Sequence, residues 1–161
     1  MSRRRRRPQP AGPFETTITA LANDGRGIGR VPEADPAADP GKVIFIDGAL
    51  PGESVTFMRV RNRSDFAEGR LESVLTPSAD RIEPPCVHAG YCGGCKLQHL
   101  DPQAQLREKQ QQLLEALTRI GRVTPDTVLP PLTGPTLGYR RRARLSVRDV
   151  PAKGRVLVGF R

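Results

Sequence analysis

The 161-residue sequence has no tryptophan, and aromatic side chains make up only 4% of it. Hydrophobic residues reach 37%, so the chain has the means for one modest core or two small ones, and a large single-core enzyme is excluded. No run approaches the ~20 consecutive apolar residues of a membrane-spanning helix, which excludes a helical membrane protein. The positive N-terminal run is not followed by an apolar segment, so no secretory signal is expected. The cytoplasm is the default, with no membrane and no secreted partner. Cysteine is scarce as well: there are three, an odd number, all within residues 86–95. A disulfide framework spreads and pairs its cysteines, whereas a tight cluster in a cytosolic chain points to metal or redox chemistry.

Positive charge is what the sequence has in excess. Twenty-six basic residues face 17 acidic ones, giving a formal charge of +9, and only four of the 26 are lysine. Arginine presents a planar, permanently charged fork that matches phosphate oxygens, so the bias suits a polyanionic partner. Five of the arginines form one run, residues 3–7. Residues 1–13 have no apolar periodicity and are expected to be a disordered basic tail, either a solubilising terminus or a nucleic-acid arm.

Residues 14–76 are expected to form a small all-β unit. The stretch 14–21 is rich in β-branched residues, and Asn23, Asp24, Gly25 and Gly27 supply left-handed positions for a hairpin turn. Residues 31–41 hold three prolines and three acids and suggest an exposed loop. Val43-Ile44-Phe45-Ile46 predicts a buried strand, Leu50-Pro51-Gly52-Glu53 a turn, and strands are expected over 54–61 and 69–75. Four or five short strands of this kind favour a closed antiparallel barrel, which leaves no exposed edges. A loop over 77–100 follows. Asp101 as N-cap and Pro102 at the first helical position then open a helix predicted to end at Gly121. Its apolar stripe, Leu106, Leu113, Leu117 and Ile120, predicts an amphipathic helix packed on the core. Residues 124–138 form a Pro/Gly linker. Residues 139–150 alternate, with Tyr139, Ala143, Leu145 and Val147 on one face and Arg140, Arg142, Arg144 and Arg148 on the other. Pro151 to Gly154 forms a turn into a return strand, and a two-stranded hairpin alone is marginal in water.

The chemistry-bearing segment is Cys86, five residues, then Cys92-Gly93-Gly94-Cys95. Thiolates with two residues between them can converge on one metal, and the intervening glycines let backbone amides approach the sulfurs. Soft thiolates select iron–sulfur clusters, zinc or monovalent copper. Iron–sulfur clusters normally take four cysteines, and zinc accepts histidine, for which His99 and His88 are candidates. Spacing alone leaves iron–sulfur and zinc both open. Each histidine also has an ordinary role available as a surface or capping residue.

Pro85-Cys86, then Cys92-Gly93-Gly94-Cys95-Lys96-Leu97-Gln98-His99-Leu100, with Gln105, Leu106 and Lys109, resembles the bacterial family of 23S ribosomal RNA (uracil-5-)-methyltransferases that carry a [4Fe-4S] cluster. Upstream, the stretch 23–30, the stretch 41–46 and the Leu50-Pro51-Gly52-Glu53 turn resemble the TRAM domain, a small RNA-binding β-barrel of the oligonucleotide-binding kind. The segments 139–145 and 159–161 look like the start of that family's central β subdomain, so the resemblance covers nearly the whole chain.

The resemblance implies a mainly β chain with one helix: a TRAM-like unit over 14–76, an iron–sulfur loop over 77–100, a helix over 101–121 and the opening of a central subdomain over 122–161. It implies Cys86, Cys92 and Cys95 as ligands of a [4Fe-4S] cluster whose fourth ligand is missing from this chain. Ribosomal RNA is the implied partner, bound by a monomer through Arg26, Arg30, Arg140, Arg142 and Arg144, with bases stacking on aromatics such as Phe57 or Tyr139. The methylation chemistry needs a nucleophilic thiolate, a base and S-adenosylmethionine. No residue here is assigned to those roles, so the chain is expected to be an N-terminal portion without the catalytic domain and inactive alone. The alternatives are a stand-alone TRAM-type RNA-binding protein, or a zinc-ribbon interaction protein closed by Cys86, Cys92, Cys95 and His99.

Overall fold

The computed structural model describes residues 11–35, 39–90 and 92–160. The chain divides into two compact units, Met1–Arg81 and Ile82–Arg161. The basic run at residues 3–7 lies outside the described residues, and residues 11–13, expected in the tail, belong to a strand that begins at Ala11.

The first unit is a six-stranded sheet: β1 (Ala11–Thr17), β2 (Ala20–Leu21), β3 (Gly27–Arg30), β4 (Val43–Asp47), β5 (Ser54–Asn62) and β6 (Phe66–Thr76). The strands lie in the order β1-β5-β6-β4-β3-β2. Every pairing is antiparallel except β4 with β6, which is parallel, so the sheet is mixed rather than purely antiparallel. Register shifts in β1 and at three places along β5 and β6 bend the strands and raise their twist. The sheet does not close by strand pairing. The chain instead changes partner in the bend between β1 and β2: Ile18 exchanges hydrogen bonds with Gly52 and Glu53, and the Thr19 amide then turns to Ile28. Across the gap the Thr16 hydroxyl donates to the Arg30 carbonyl at 2.8 Å and accepts from the Arg30 amide.

Alternation along the strands sends one set of side chains inward. Ile18, Val31, Ile44, Ile46, Ala49, Val55, Phe57 and Ala67 form the core, with Phe14, Leu71 and Val74 packed at its margin. Phe57 is fully buried, so it is not an RNA-stacking residue. Two sequence expectations are corrected here. Gly25 takes a positive φ of 85°, but Gly27 does not; it is small because a Cβ there would stand 2.8 Å from the Ala49 carbonyl oxygen. The loop after β3 is not uniformly exposed, because Val31 and Asp35 are buried. Asp35 receives a bidentate pair from the Arg59 guanidinium, which β5 points inward. Gly27→Ala is therefore expected to destabilise the fold by about 1–3 kcal/mol through overpacking against backbone that cannot retreat. Chemical denaturation of the two proteins measures the difference.

Glu53 closes the unit. It is fully buried, and its carboxylate accepts from the Leu50 amide at 2.8 Å, the Ser78 amide at 3.2 Å and the Arg81 guanidinium. Arg81 also donates to the Gly48 carbonyl at 2.7 Å. This clip carries the sheet unit past Thr76 to Arg81.

In the second unit, Asp101 caps α1 (Pro102–Ala116) by accepting from the Gln103 and Ala104 amides, as its sequence signature implied. The helix widens into a π-type turn, Leu117–Gly121, and the left-handed residue that ends it is Arg122, not Gly121. The expected core-facing stripe is only half covered: Leu106 and Leu117 are half-buried, but Leu113 and Ile120 are not. Ala104 is the buried residue of α1, while Leu113 and Ile120 are 59% and 83% exposed. The long arginine-bearing strand is also shorter than expected: β7 spans Ser146–Val150 and pairs with β8 (Arg155–Gly159) around the turn Pro151–Lys153 and Gly154. Residues 139–145 lie outside the ladder, so Arg140, Arg142 and Arg144 are not on a strand face.

Candidate functional site

Three places in the two units bear on function. The first is the outward face of the sheet across β3, β4 and β6. Phe45 and Phe66 meet edge-to-face there, with ring centroids 5.5 Å apart and both rings part-exposed. The Arg26 guanidinium lies 4.6 Å over the Phe45 ring, and its Nε is 2.8 Å from Asp24. Glu68 pairs with Phe45 in register and sits between Arg26 (3.7 Å) and Arg61 (3.4 Å). Arg30, at the end of β3, donates to the Gly41 carbonyl at 3.0 Å. Both arginines singled out from the sequence are thus on or beside this face, but each is already engaged within the protein.

The second place is the segment 139–148. Tyr139 is 62% exposed and Arg140 lies over its ring at 5.7 Å. Arg140, Arg141, Arg142, Arg144 and Arg148 are all exposed, and none of the ion pairs among the described residues involves them. Five arginines in nine residues without acidic partners are free to neutralise phosphates.

The third place is the cysteine loop. Its ends are tied together by the Ile82 amide donating to the His99 carbonyl at 3.0 Å. The Gln105 side chain of α1 donates to the Leu97 and Leu100 carbonyls, both at 2.9 Å, which fixes the loop to the helix start. Cys86, Cys92 and Cys95, all free, line one open cavity of about 1170 Å³ within this unit. Lys96, Lys109, Arg140 and Arg148 also line it, and none of its lining residues is acidic. The Gly94 amide donates to the Cys92 sulfur at 3.4 Å. A Cβ on Gly94 would fall 2.9 Å from the Phe160 ring, so that glycine is demanded by packing. His88 lines the cavity, whereas His99 is not among its lining residues.

As placed, no three His, Cys, Asp or Glu side chains among the described residues stand close enough to hold a metal ion. The donor set nevertheless fits an anionic iron–sulfur centre. All three thiols line the same cavity, a backbone amide already donates to one sulfur, and the charged side chains of the lining are basic.

Residues 14–57 match the TRAM domain model. The 23S rRNA (uracil(1939)-C(5))-methyltransferase RlmD of Alkalilimnicola ehrlichii is 49% identical over 158 residues, 98% of this chain and 34% of that protein. The protein of the same name from Acidithiobacillus ferrooxidans is 50% identical over 158 residues, 96% of this chain and 34% of its own length. That of Bordetella pertussis is 54% identical over 143 residues, 89% of this chain and 29% of its own. Over nearly its whole length the chain is therefore similar to part of the 23S rRNA (uracil(1939)-C(5))-methyltransferases. It spans about a third of the length of the curated relatives it matches. Among the described residues no helix is long and apolar enough to cross a membrane.

That similarity takes in both the sheet that matches the TRAM model and the cysteine loop. The Phe45–Phe66 pair escaped the sequence analysis because Val43-Ile44-Phe45-Ile46 looks uniformly buried; period-two alternation around Phe45 was the available signal. Glu68 escaped because a lone acid in a strand carries no motif.

Proposed function

We propose that this chain is the RNA-gripping part of an S-adenosylmethionine-dependent ribosomal RNA uracil-C5-methyltransferase. The observation that carries the proposal is the run of exposed, acid-free arginines over 140–148, in a chain that also holds a TRAM sheet. These side chains bind phosphates, the outer sheet face contributes π surfaces, and no residue here is assigned to methyl transfer. That step belongs to the part of such an enzyme this chain does not span. Ribosomal RNA is the partner, and the cytoplasm is the compartment.

Cys86, Cys92 and Cys95 would hold a [4Fe-4S] cluster, together with a fourth ligand from outside this set. When bound, the cluster supplies a rigid anionic cross-link between chain segments. Lys96 and Lys109 would offset its charge, and Gln105 holds the loop in place. Protein purified without oxygen is expected to be brown, with iron and acid-labile sulfide in about equal amounts, and Cys92→Ser is expected to lose both. Colourless protein with stoichiometric zinc and no sulfide overturns the cluster assignment.

A further inference from the structure

The outward sheet face carries an acid at the point where a phosphate-binding surface would exclude one. Glu68 is 22% exposed, stands beside Phe45 in register, and is flanked by Arg26 on one side and Arg61 on the other. The register shift between Arg59 and Arg61 is what brings Arg61 opposite Glu68. Each arginine approaches a different carboxylate oxygen, Oε1 for Arg26 and Oε2 for Arg61, at 3.7 and 3.4 Å. Such loose contacts leave acceptor capacity on both oxygens, since a carboxylate has about four lone-pair sites. A carboxylate repels a phosphate but accepts N–H groups, and a part-exposed aromatic pair lies beside it.

The geometry points to a base-reading site: an unstacked guanine of RNA lies on the Phe45–Phe66 and Arg26 surface and donates its N1–H and N2–H to Glu68. Guanine is the base that shows two adjacent donors on its Watson–Crick edge, and these match the two oxygens of one carboxylate. Uracil shows one N–H between two carbonyl oxygens, while adenine and cytosine each show an amino group beside a ring acceptor. All three set an acceptor against the carboxylate. Stacking on aromatic and guanidinium planes, with hydrogen bonds to the exposed edge, is how single-stranded RNA is read. The assignment rests on the RNA-binding reading above and adds a base preference to it.

Fluorescence anisotropy of the full chain with labelled oligouridine dodecamers tests it, the central nucleotide being uridine, adenosine, guanosine or inosine. Guanosine is expected to bind between about fivefold and a hundredfold more tightly than adenosine or uridine. Inosine, which lacks the N2 amine, is expected to fall between them. Glu68→Gln is expected to erase the guanosine preference while keeping or raising affinity for oligouridine, because Arg26 and Arg61 are released. Equal affinity for all four wild-type ligands, with Phe45→Ala still weakening binding, overturns the guanine site and leaves the RNA-binding face standing. A Glu68→Gln change that moves every affinity by the same factor shows a mere counter-ion and overturns it as well. Absence of binding to every oligonucleotide overturns the RNA reading itself.

Discussion

Changing Arg140, Arg142 and Arg144 together to alanine is expected to weaken binding of single-stranded RNA about a hundredfold at 0.1 M salt. The estimate follows from counterion release: each phosphate contact on a single strand adds about 0.7 to the slope of log affinity against log salt concentration. Losing three contacts lowers that slope by about two, and the same arithmetic at 0.1 M gives about two decades of affinity. The three side chains are exposed and lack acidic partners, so their removal breaks no internal ion pair and leaves the fold intact. Arg26 and Arg30 serve as an internal contrast. Arg26 is held by Asp24 and Phe45, and Arg30 by the Gly41 carbonyl, so replacing either changes the slope less. A salt titration of binding for each variant is the measurement. An unchanged slope in the triple variant removes the phosphate role.

Glu53→Ala is expected to destabilise the first unit by about 3–5 kcal/mol, the range for removing one partner of a buried ion pair. It strands the Arg81 guanidinium and leaves the Leu50 and Ser78 amides without their acceptor. The same carboxylate imposes a pH dependence. Burial pushes its pKa up, but the hydrogen bonds from Arg81, Leu50 and Ser78 together outweigh burial and hold it below its ordinary value of 4.5. A carboxylate with a depressed folded-state pKa stabilises the fold at pH values above that ordinary value, and the contribution is lost as the pH falls through the lower folded value. Wild-type stability should therefore decline on acidification below about pH 4.5, and the gap between wild type and Glu53→Gln should narrow over the same interval. Urea unfolding at neutral pH and in steps down to pH 3 reads both effects. A gap that stays constant with pH removes Glu53 from the acid response.

Local chemistry made much of this legible in the sequence. Asp101-Pro102 announced a helix start, and the structure shows the cap in the expected hydrogen bonds. The Leu50-Pro51-Gly52-Glu53 turn was recognisable, and Gly52 at φ 82° with Glu53 locked beneath explains its residue types. What failed was periodicity without tertiary information. The alternation over 139–145 is as regular as that over 146–150, but only the second stretch pairs with a return strand over Arg155–Gly159. The leucines of α1 obey helical spacing, yet Leu113 is more than half exposed. Patterning states which side chains share a face, not whether another element covers that face. Glu68 and the Phe45–Phe66 pair were hidden for a related reason, since their company depends on a parallel pairing of distant strands that no local signal encodes.

That parallel pairing governs how the sheet comes into being. β6 is the last of the six strands to leave the ribosome, yet it lies between β5 and β4. Without it the ladder falls into two ribbons: β1 with β5, a two-stranded piece that is marginal in water, and β4 with β3 and β2, whose outer strand is two residues long. The nascent chain therefore gains little by folding piecemeal: the keystone arrives last, and synthesis halted before Phe66 leaves the two ribbons unjoined.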